Sequence, residues 1–240
     1  MMYWEKSFKS EAMLITERRL ARAQLVSGLL FHNFKMADAN EKLRHPKVVF
    51  ILSGKRKSGK DYVANKLTEA FGPDCCEIIR LSGPLKHEYA RQNGLDFDRL
   101  LDSTNYNEFY REDMIRWGEE KRNADPSYFC RLAVVMTLSG ISKENNSIQK
   151  PVWIVSDARR KSDVHYFRES YDKVVHVRIT ATEEIRRSRG WIFTPGVDDA
   201  ESECGLDDEE FNVLIQNDGH DYHKLNSQVN SLRKYIYLSS

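Results

Sequence analysis

Residues 47–61 read KVVFILSGKRKSGKD, a short apolar run followed by a basic loop bounded by glycines. Gly54 and the pair Gly59-Lys60 fit the GxxxxGK pattern of a phosphate-binding loop (P-loop). Glycines let backbone N–H groups turn toward phosphate oxygens, and the N-terminus of a following helix adds further donors. This order of strand, loop and helix predicts a P-loop, with Lys60 reaching the β- and γ-phosphates of a nucleotide. The alternatives are a basic surface loop and a nuclear-localisation signal, but neither explains the glycines or the apolar flanks.

Apolar runs alternate with helical patterns along the rest of the chain. Five runs predict strands: Lys47–Leu52, Ile78–Leu81, Val152–Val155, Val174–Ile179 and Phe211–Ile215. Three segments predict helices: Lys60–Phe71, Asn107–Lys121 and Ser127–Leu138. Strands that are apolar throughout and separated by helices are typical of a parallel sheet buried on both faces. The prediction is an α/β fold, with a five-stranded parallel sheet and helices on both faces.

Composition excludes several classes of protein. The chain has 240 residues and a net charge of +1, so no overall field attracts nucleic acid or a membrane. The four cysteines form no CxxC pair and the seven histidines show no metal-ligand spacing. We expect the free thiols of an intracellular protein. No apolar run reaches the length of about 18 residues that a membrane-spanning helix needs.

Residues 1–46 differ in pattern from the remainder of the chain. Met13, Leu14, Leu20 and Leu25 follow a helical period, and a polar stretch then leads to Pro46. We expect an N-terminal extension, helical in part and flexible in part, ahead of one domain over residues 47–240.

Two acidic residues are candidates for binding Mg²⁺. Asp61 stands where a P-loop normally has the Ser or Thr that binds the metal, and a carboxylate is also a hard oxygen ligand. Asp157 follows the predicted strand Val152–Val155, at the edge of the sheet where α/β folds bind ligands. We expect both carboxylates to organise Mg²⁺, directly or through water.

Arginines outside the P-loop predict a second anion-binding site. Arg159 and Arg160 lie at the same edge of the sheet, and Arg122 follows a predicted helix. Arg189 belongs to the segment Arg186–Trp191, at the position of the mobile lid in folds like the nucleoside monophosphate kinases. Phosphoryl transfer needs mainly positioning and charge neutralisation. These residues therefore predict a kinase with a phosphorylated acceptor, with solvated surface arginines as the alternative.

Longer strings of the sequence carry a more specific signal. They are LSGKRKSGKDYV, RLSGPLKHEYA, DMIRWGEEKRNADPSYFCR, WIVSDARRKSDV and RGWIFTPGVDDAESECGLD. Together they closely resemble the animal-type phosphomevalonate kinases, from Val48 to the C-terminus. The resemblance implies a P-loop kinase with a lid, over residues 47–240, folded like the nucleoside monophosphate kinases. It implies transfer of the γ-phosphoryl group of ATP to (R)-5-phosphomevalonate, giving mevalonate 5-diphosphate in isoprenoid and sterol synthesis.

The resemblance also implies roles for individual residues. Those implied to bind ATP are Gly54, Lys55, Arg56, Lys57, Ser58, Gly59, Lys60, Asp61, Asn217, Asp218 and Gln228. Those implied in catalysis are Arg56, Lys60, Asp61 and Arg189, and those implied to bind the acceptor are Arg122, Arg159, Arg160 and Arg189. Some relatives carry histidine in place of Asp218, so we expect a backbone contact there. The stretch Ser139–Gln149 is expected to be an inserted surface loop.

Three other functions remain open at this point. A nucleoside monophosphate kinase would share the fold, Asp61 would suit a non-catalytic nucleotide-binding protein, and the basic loops would suit a nucleic-acid binder. We expect ATP and Mg²⁺ as cofactors and phosphomevalonate as the small-molecule partner, with no nucleic-acid or membrane partner. We also expect a monomer in the cytosol, with peroxisomal association left open.

Overall fold

A five-stranded, all-parallel β-sheet is the centre of the computed structural model, which describes residues 46–101, 105–143, 150–219 and 221–237. Its strands are β1 (Val48–Ser53), β2 (Cys76–Ile79), β3 (Val152–Val155), β4 (Val174–Thr180) and β5 (Val213–Gln216). Their order across the sheet is β2-β3-β1-β4-β5. The predicted five-stranded parallel α/β fold is therefore confirmed.

Ten helices belong to the described residues. They are α1 (Lys60–Phe71), α2 (Ser82–Asn93), α3 (Phe97–Leu101), α4 (Asn105–Ala124), α5 (Tyr128–Lys143), α6 (Lys161–Ser170), α7 (Glu183–Ser188), α8 (Glu201–Cys204), α9 (Tyr222–Ser231) and α10 (Lys234–Tyr237). None of the helices in this part of the chain is long and apolar enough to cross a membrane.

Helices cover both faces of the sheet, as the side chains of the central strand β1 show. Val48, Phe50 and Leu52 pack in one core with residues of α1 and α9. Val49 and Ile51 point to the other face, into a second core with residues of α5 and α6. Because every residue of β1 is fully buried, its sequence is apolar throughout rather than alternating. A strand held so firmly gives the loop that follows it a fixed starting point.

A third, smaller core lies among α2, α3 and α4. Tyr89, Ala90, Leu100 and Met114 form its buried part. Asp157, just after β3, ties this layer to the sheet: its two carboxylate oxygens accept the backbone N–H groups of Leu81 and Ser82 at 2.7 and 2.9 Å. These N–H groups at the start of α2 would otherwise lack partners.

Several predicted boundaries need correction. Helix α1 matches its prediction, whereas α4 is longer at both ends. Strand β2 begins and ends two residues earlier than predicted, and β5 begins two residues later and ends one residue later. The expectation that the last strand is buried on both faces is wrong, because β5 lies at the sheet edge and Leu214 is 43% exposed.

The expectation of a surface loop over Ser139–Gln149 is also wrong in part. Helix α5 continues to Lys143, and residues 139–143 include no proline that would interrupt it. Residues 144–149 lie outside the described part of the chain. So do residues 1–45, and the predicted N-terminal extension stays a prediction.

Candidate active site

The P-loop, residues 54–60, connects β1 to α1, and both of its glycines are required by close neighbours. A Cβ atom on Gly54 would lie 2.3 Å from the carbonyl oxygen of Ile179. A Cβ atom on Gly59, where φ is +91°, would lie 2.2 Å from Nδ2 of Asn217. These distances leave no room for a side chain at either position. The sequence motif is therefore a consequence of how closely β4 and the segment after β5 approach the loop.

Cationic and amide side chains hold the backbone carbonyl groups of the P-loop. Asn217 donates from Nδ2 to the Ser58 carbonyl at 2.9 Å. Arg189 donates from Nη1 to the carbonyls of Lys57 and Ser58 at 3.2 and 3.1 Å, and from Nη2 to the Asn217 carbonyl at 2.8 Å. Because these carbonyl oxygens would repel a phosphate, tying them to donors helps the loop to accept an anion.

Lys60 lies buried at the start of α1, with Nζ donating to the carbonyl oxygens of Gly54 and Lys55 at 2.5 and 3.3 Å. Burial, and next the positive charge of Arg159, lower the pKa of Lys60 to about 7. The nearby carboxylates of Glu203, Asp157 and Asp61 act in the opposite direction. An ammonium group destabilised in this way gains more than an exposed one from the arrival of a phosphate.

An outer groove of about 430 Å³ lies between the start of α1 and the segment after β5. Tyr62, Tyr222 and Leu225 give it an apolar lining, and Asn217 and Asp218 add polar groups. The groove meets the P-loop at Gly59 and Arg189. Its size and lining suit a nucleotide base and sugar.

Gln228 has a different position from the other residues implied to bind the nucleotide. It is not among the residues that line the outer groove. Its Oε1 accepts the backbone N–H of Gln216 at 2.9 Å, and its Nε2 donates to the Lys224 carbonyl at 3.3 Å. In the structure it fastens the end of β5 to α9, so a direct nucleotide contact stays a prediction.

A central cleft of about 410 Å³ continues from the outer groove along the P-loop. It brings together most of the charged residues that the sequence singled out: Arg56, Lys57, Lys60, Asp61, Asp157, Arg159 and Arg189. Lys86 and Arg111 also line the cleft, although the sequence analysis gave them no role. In the sequence both look like ordinary charged residues of a helix, and nothing near them marks a binding role.

An inner pocket of about 230 Å³ opens beyond the central cleft, and Arg111, Asp157 and Arg159 line both. Arg122 and Arg160 complete its basic side. The rest of its lining includes an apolar wall, formed by Leu85, Met114, Ile115 and Val197. The inner pocket therefore suits a small molecule with an anionic end and an aliphatic body.

Arg122 is one of two deeply buried cations of the inner pocket, with 8% of its surface exposed. Its Nε is buried and has no hydrogen-bond partner among the described residues. Nη1 makes one long contact, 3.4 Å to the Gly118 carbonyl, and the guanidinium lies 4.5 Å from the centre of the Phe129 ring. Burial, and next the charge of Arg160, lower the pKa of Arg122. A guanidinium in this state is prepared to bind an anion.

The carboxylates that orient these cations were not predicted from the sequence. Glu203 pairs with Arg159, and Glu119 pairs with Arg160. Asp198 accepts from Nη2 of Arg56 at 3.1 Å. Two of these acids lie in the quoted string RGWIFTPGVDDAESECGLD, but nothing in that string says which cation each one meets.

The lid segment, residues 183–207, contacts the P-loop directly. Arg186 donates from Nε to the Arg56 carbonyl at 2.8 Å, and its guanidinium lies 4.0 Å from the centre of the Trp191 ring. Arg56 in turn donates to the Ile192 carbonyl at 2.8 Å. Arg189 lines the outer groove and the central cleft but is not among the residues that line the inner pocket, so its implied contact with the acceptor stays a prediction.

The two candidate magnesium ligands differ in their surroundings. The side chain of Asp61 is 73% exposed, at the central cleft, with Arg80 3.8 Å away. Asp157 already accepts two backbone N–H groups at the start of α2. No group of three or more His, Cys, Asp or Glu side chains in the described residues is arranged to hold a metal ion. Such a donor set fits a metal that is held largely by the phosphates of a nucleotide.

Comparison with known proteins places this geometry in a family. The family model described as phosphomevalonate kinase matches residues 52–173. A curated phosphomevalonate kinase of Drosophila melanogaster is 45% identical over 174 residues, which cover 71% of this chain and 88% of the relative.

Solved structures of other proteins are less similar. A protein from Thermus thermophilus is 13% identical, with a TM-score of 0.45, over 82% of this chain and 100% of its own. A gluconokinase from Sinorhizobium meliloti is 16% identical, with a TM-score of 0.40, over 81% of this chain and 98% of its own. These values carry no weight in the assignment. The sequence match over half of the chain and the 45% identity carry it: the chain belongs to the phosphomevalonate kinase family.

Proposed function

We propose that this chain transfers the γ-phosphoryl group of ATP to (R)-5-phosphomevalonate, giving ADP and mevalonate 5-diphosphate. The observation that carries the proposal is the inner pocket, in which four arginines meet an aliphatic wall and Arg159 reaches into the central cleft beside Lys60. Phosphomevalonate has the matching chemistry, an anionic phosphate on a short aliphatic chain. Family membership supports the same substrate.

ATP would bind along the outer groove and the P-loop. The base and sugar would lie beside Tyr62 and Asn217, and the phosphates would follow the loop to Lys60. Arg56, Lys57 and Arg189 line the path of the phosphates and would neutralise their charge. Lys60 would leave its backbone partners for the β- and γ-phosphates, and its buried position makes that charge pairing strong.

The acceptor would bind in the inner pocket with its phosphate toward Arg122, Arg159 and Arg160. Its phosphate oxygen attacks the γ-phosphorus, a new P–O bond forms, and the bond from that phosphorus to the oxygen of ADP breaks. The attacking oxygen is already anionic, so no general base is needed. Catalysis then consists of positioning two anions that repel each other, which is the task of the arginines.

Mg²⁺ would be held by Asp61 together with the phosphates of ATP. The exposed carboxylate of Asp61 at the central cleft fits this role. Bound there, the metal would draw charge away from the phosphate oxygens. Asp157 would act mainly by holding the start of α2 against the sheet, and it would reach the metal through a water molecule.

The lid segment would keep water out of the central cleft during transfer. Its contacts with the P-loop through Arg186 and Arg56 support this, since water in the cleft would hydrolyse ATP. We also propose a monomer that acts in the cytosol and has no nucleic-acid partner. Light scattering and cell fractionation are the measurements that check the monomer and its location.

A coupled assay of ADP release tests the proposed reaction, with phosphomevalonate beside AMP, UMP and dTMP as acceptors. Turnover with phosphomevalonate alone supports the proposal, and turnover with a nucleoside monophosphate would instead support a nucleotide kinase. ATP binding without transfer to any acceptor would support a non-catalytic protein. Lys60→Met should lower kcat by about a thousandfold, whereas Lys150→Met, at the opposite end of the sheet beside Glu77, should leave it unchanged.

A further inference from the structure

Glu203, at the end of the lid segment, touches both halves of the proposed site. Its Oε2 accepts the backbone N–H of Arg56, in the P-loop, at 2.7 Å. Its Oε1 pairs with Nη1 of Arg159, between the central cleft and the inner pocket. Its backbone carbonyl accepts Nζ of Lys55 at 3.0 Å. One residue therefore joins the phosphate-binding loop to an acceptor-binding arginine.

Glu203 is buried, as Asp198 of the same segment is, whereas the other acids of the segment are exposed. The side chain of Glu203 is 3% exposed, whereas that of Asp207, which pairs with Lys55, is 37% exposed. Removing a carboxylate from water costs several kcal/mol unless it is well paired. A carboxylate this buried holds its two donors in fixed places, and an exposed pair does not.

Glu203 binds one side of the Arg159 guanidinium and leaves the other side open to a ligand. Among the described residues, this guanidinium makes hydrogen bonds only through Nη1, to Glu203 and to the Ser202 carbonyl at 3.2 Å. Nε and Nη2 are thus left for a phosphate in the inner pocket. The contact with Glu203 is therefore compatible with acceptor binding and does not compete with it.

We propose that Glu203 is a positioning residue for phosphoryl transfer. By holding Arg159 and the P-loop backbone at Arg56 together, it sets the distance between the acceptor phosphate and the γ-phosphate. A misplacement of about 1 Å between reacting groups costs about a hundredfold in rate. The inference rests on the proposed function, because it needs Arg159 to bind the acceptor.

The variant Glu203→Gln tests this role, since it keeps the shape of the side chain and removes its charge. We expect kcat with phosphomevalonate to fall about 30-fold or more, while KM for ATP changes less than about threefold. The matched control is Glu209→Gln, whose partners Lys161 and Arg168 lie outside the proposed site. It should have the kcat and KM of the wild type.

A double-variant cycle separates positioning from a general structural effect. In an Arg159→Ala background, adding Glu203→Gln should lower kcat by no more than about threefold, because the group that Glu203 positions is gone. Equal losses in both backgrounds would overturn the inference. So would an unchanged kcat for Glu203→Gln in an active enzyme, whereas a wild type inactive on phosphomevalonate would overturn the proposed function itself.

Glu203→Asp keeps the test decisive if Glu203→Gln does not fold. The shorter side chain keeps its charge but draws the carboxylate back from Arg159. We expect a folded protein, by circular dichroism, with kcat lowered about tenfold or more. Wild-type kcat in that variant would overturn the inference.

Discussion

Replacing Arg122 with methionine should make the protein more stable and its proposed acceptor binding much weaker. Arg122 is buried, its Nε has no partner among the described residues, and Arg160 repels it. A buried donor without a partner costs about 1–3 kcal/mol, and the contact with the Phe129 ring returns about 1–2 kcal/mol. Methionine fills a similar volume without a charge. The balance favours the variant by about 1 kcal/mol.

The change should leave no carboxylate without a partner. Glu119 keeps its ion pair with Arg160. Asp163 keeps the backbone N–H groups of Arg159 and Arg160, at 2.9 and 3.0 Å. For a domain of this size, about 1 kcal/mol raises Tm by about 2–4 °C. Loss of a buried phosphate contact worth about 2–3 kcal/mol should raise KM for phosphomevalonate about a hundredfold.

Thermal unfolding followed by circular dichroism and the coupled ADP-release assay measure the two effects. Phosphomevalonate should raise the Tm of the wild type but not that of Arg122→Met. The control is Arg131→Met. Arg131 pairs with Asp125 and does not line the outer groove, the central cleft or the inner pocket. The control variant should leave KM unchanged. A less stable Arg122→Met protein with the acceptor KM of the wild type would refute the reasoning.

Three further predictions concern other parts of the proposed site and its support. Gly59→Ala and Gly94→Ala should both lose about 1–2 kcal/mol from strain at positive φ. Only Gly59→Ala, whose Cβ would lie 2.2 Å from Asn217, should lose more than that and weaken ADP binding by calorimetry, because a Cβ on Gly94 has no neighbour within 4 Å. Burial lowers the pKa of His176, so wild-type stability should fall as pH drops below the unfolded pKa of about 6.5 toward the folded value. The free energy of unfolding of His176→Gln, measured in urea at several pH values, should lack that part of the decline. The same pH dependence in the variant and the wild type would contradict the prediction. Asp61→Asn should raise the Mg²⁺ concentration for half-maximal rate about tenfold, and an unchanged requirement in the assay would remove Asp61 from the metal site.

The elements of the fold could be predicted largely from local pattern. The strand residues Val48–Leu52 are all buried, because helices cover both faces of the sheet there. A strand in that position is apolar at every residue, and this pattern can be seen in the sequence alone. Helix α1 has the predicted bounds Lys60–Phe71, because Gly59 and Gly72 mark its two ends. Boundaries at the sheet edges were predicted less well, since β5 has only one neighbouring strand and its pattern is mixed.

Most cations that line the candidate site were singled out from the sequence, whereas the carboxylates that pair with them were not. A P-loop lysine and arginines after strands carry a signal in their own sequence neighbourhood. Glu119 and Glu203 carry none, because each meets an arginine about forty residues away, at separations of 41 and 44 positions. Pairing over such distances depends on how helices pack, and many acids of the sequence could serve equally well.

By itself, the sequence determined that a phosphate-binding loop follows a buried strand, and its longer strings indicated the family. The tertiary structure alone decided why Gly59 must be a glycine, since Asn217 approaches it across 158 positions of the chain. It also decided that Asp157 holds the start of α2, and that Glu203 joins Arg159 to the P-loop. The reason is physical. Local propensity and burial act on neighbours in sequence, whereas the partner of a buried polar group is set by packing between distant elements.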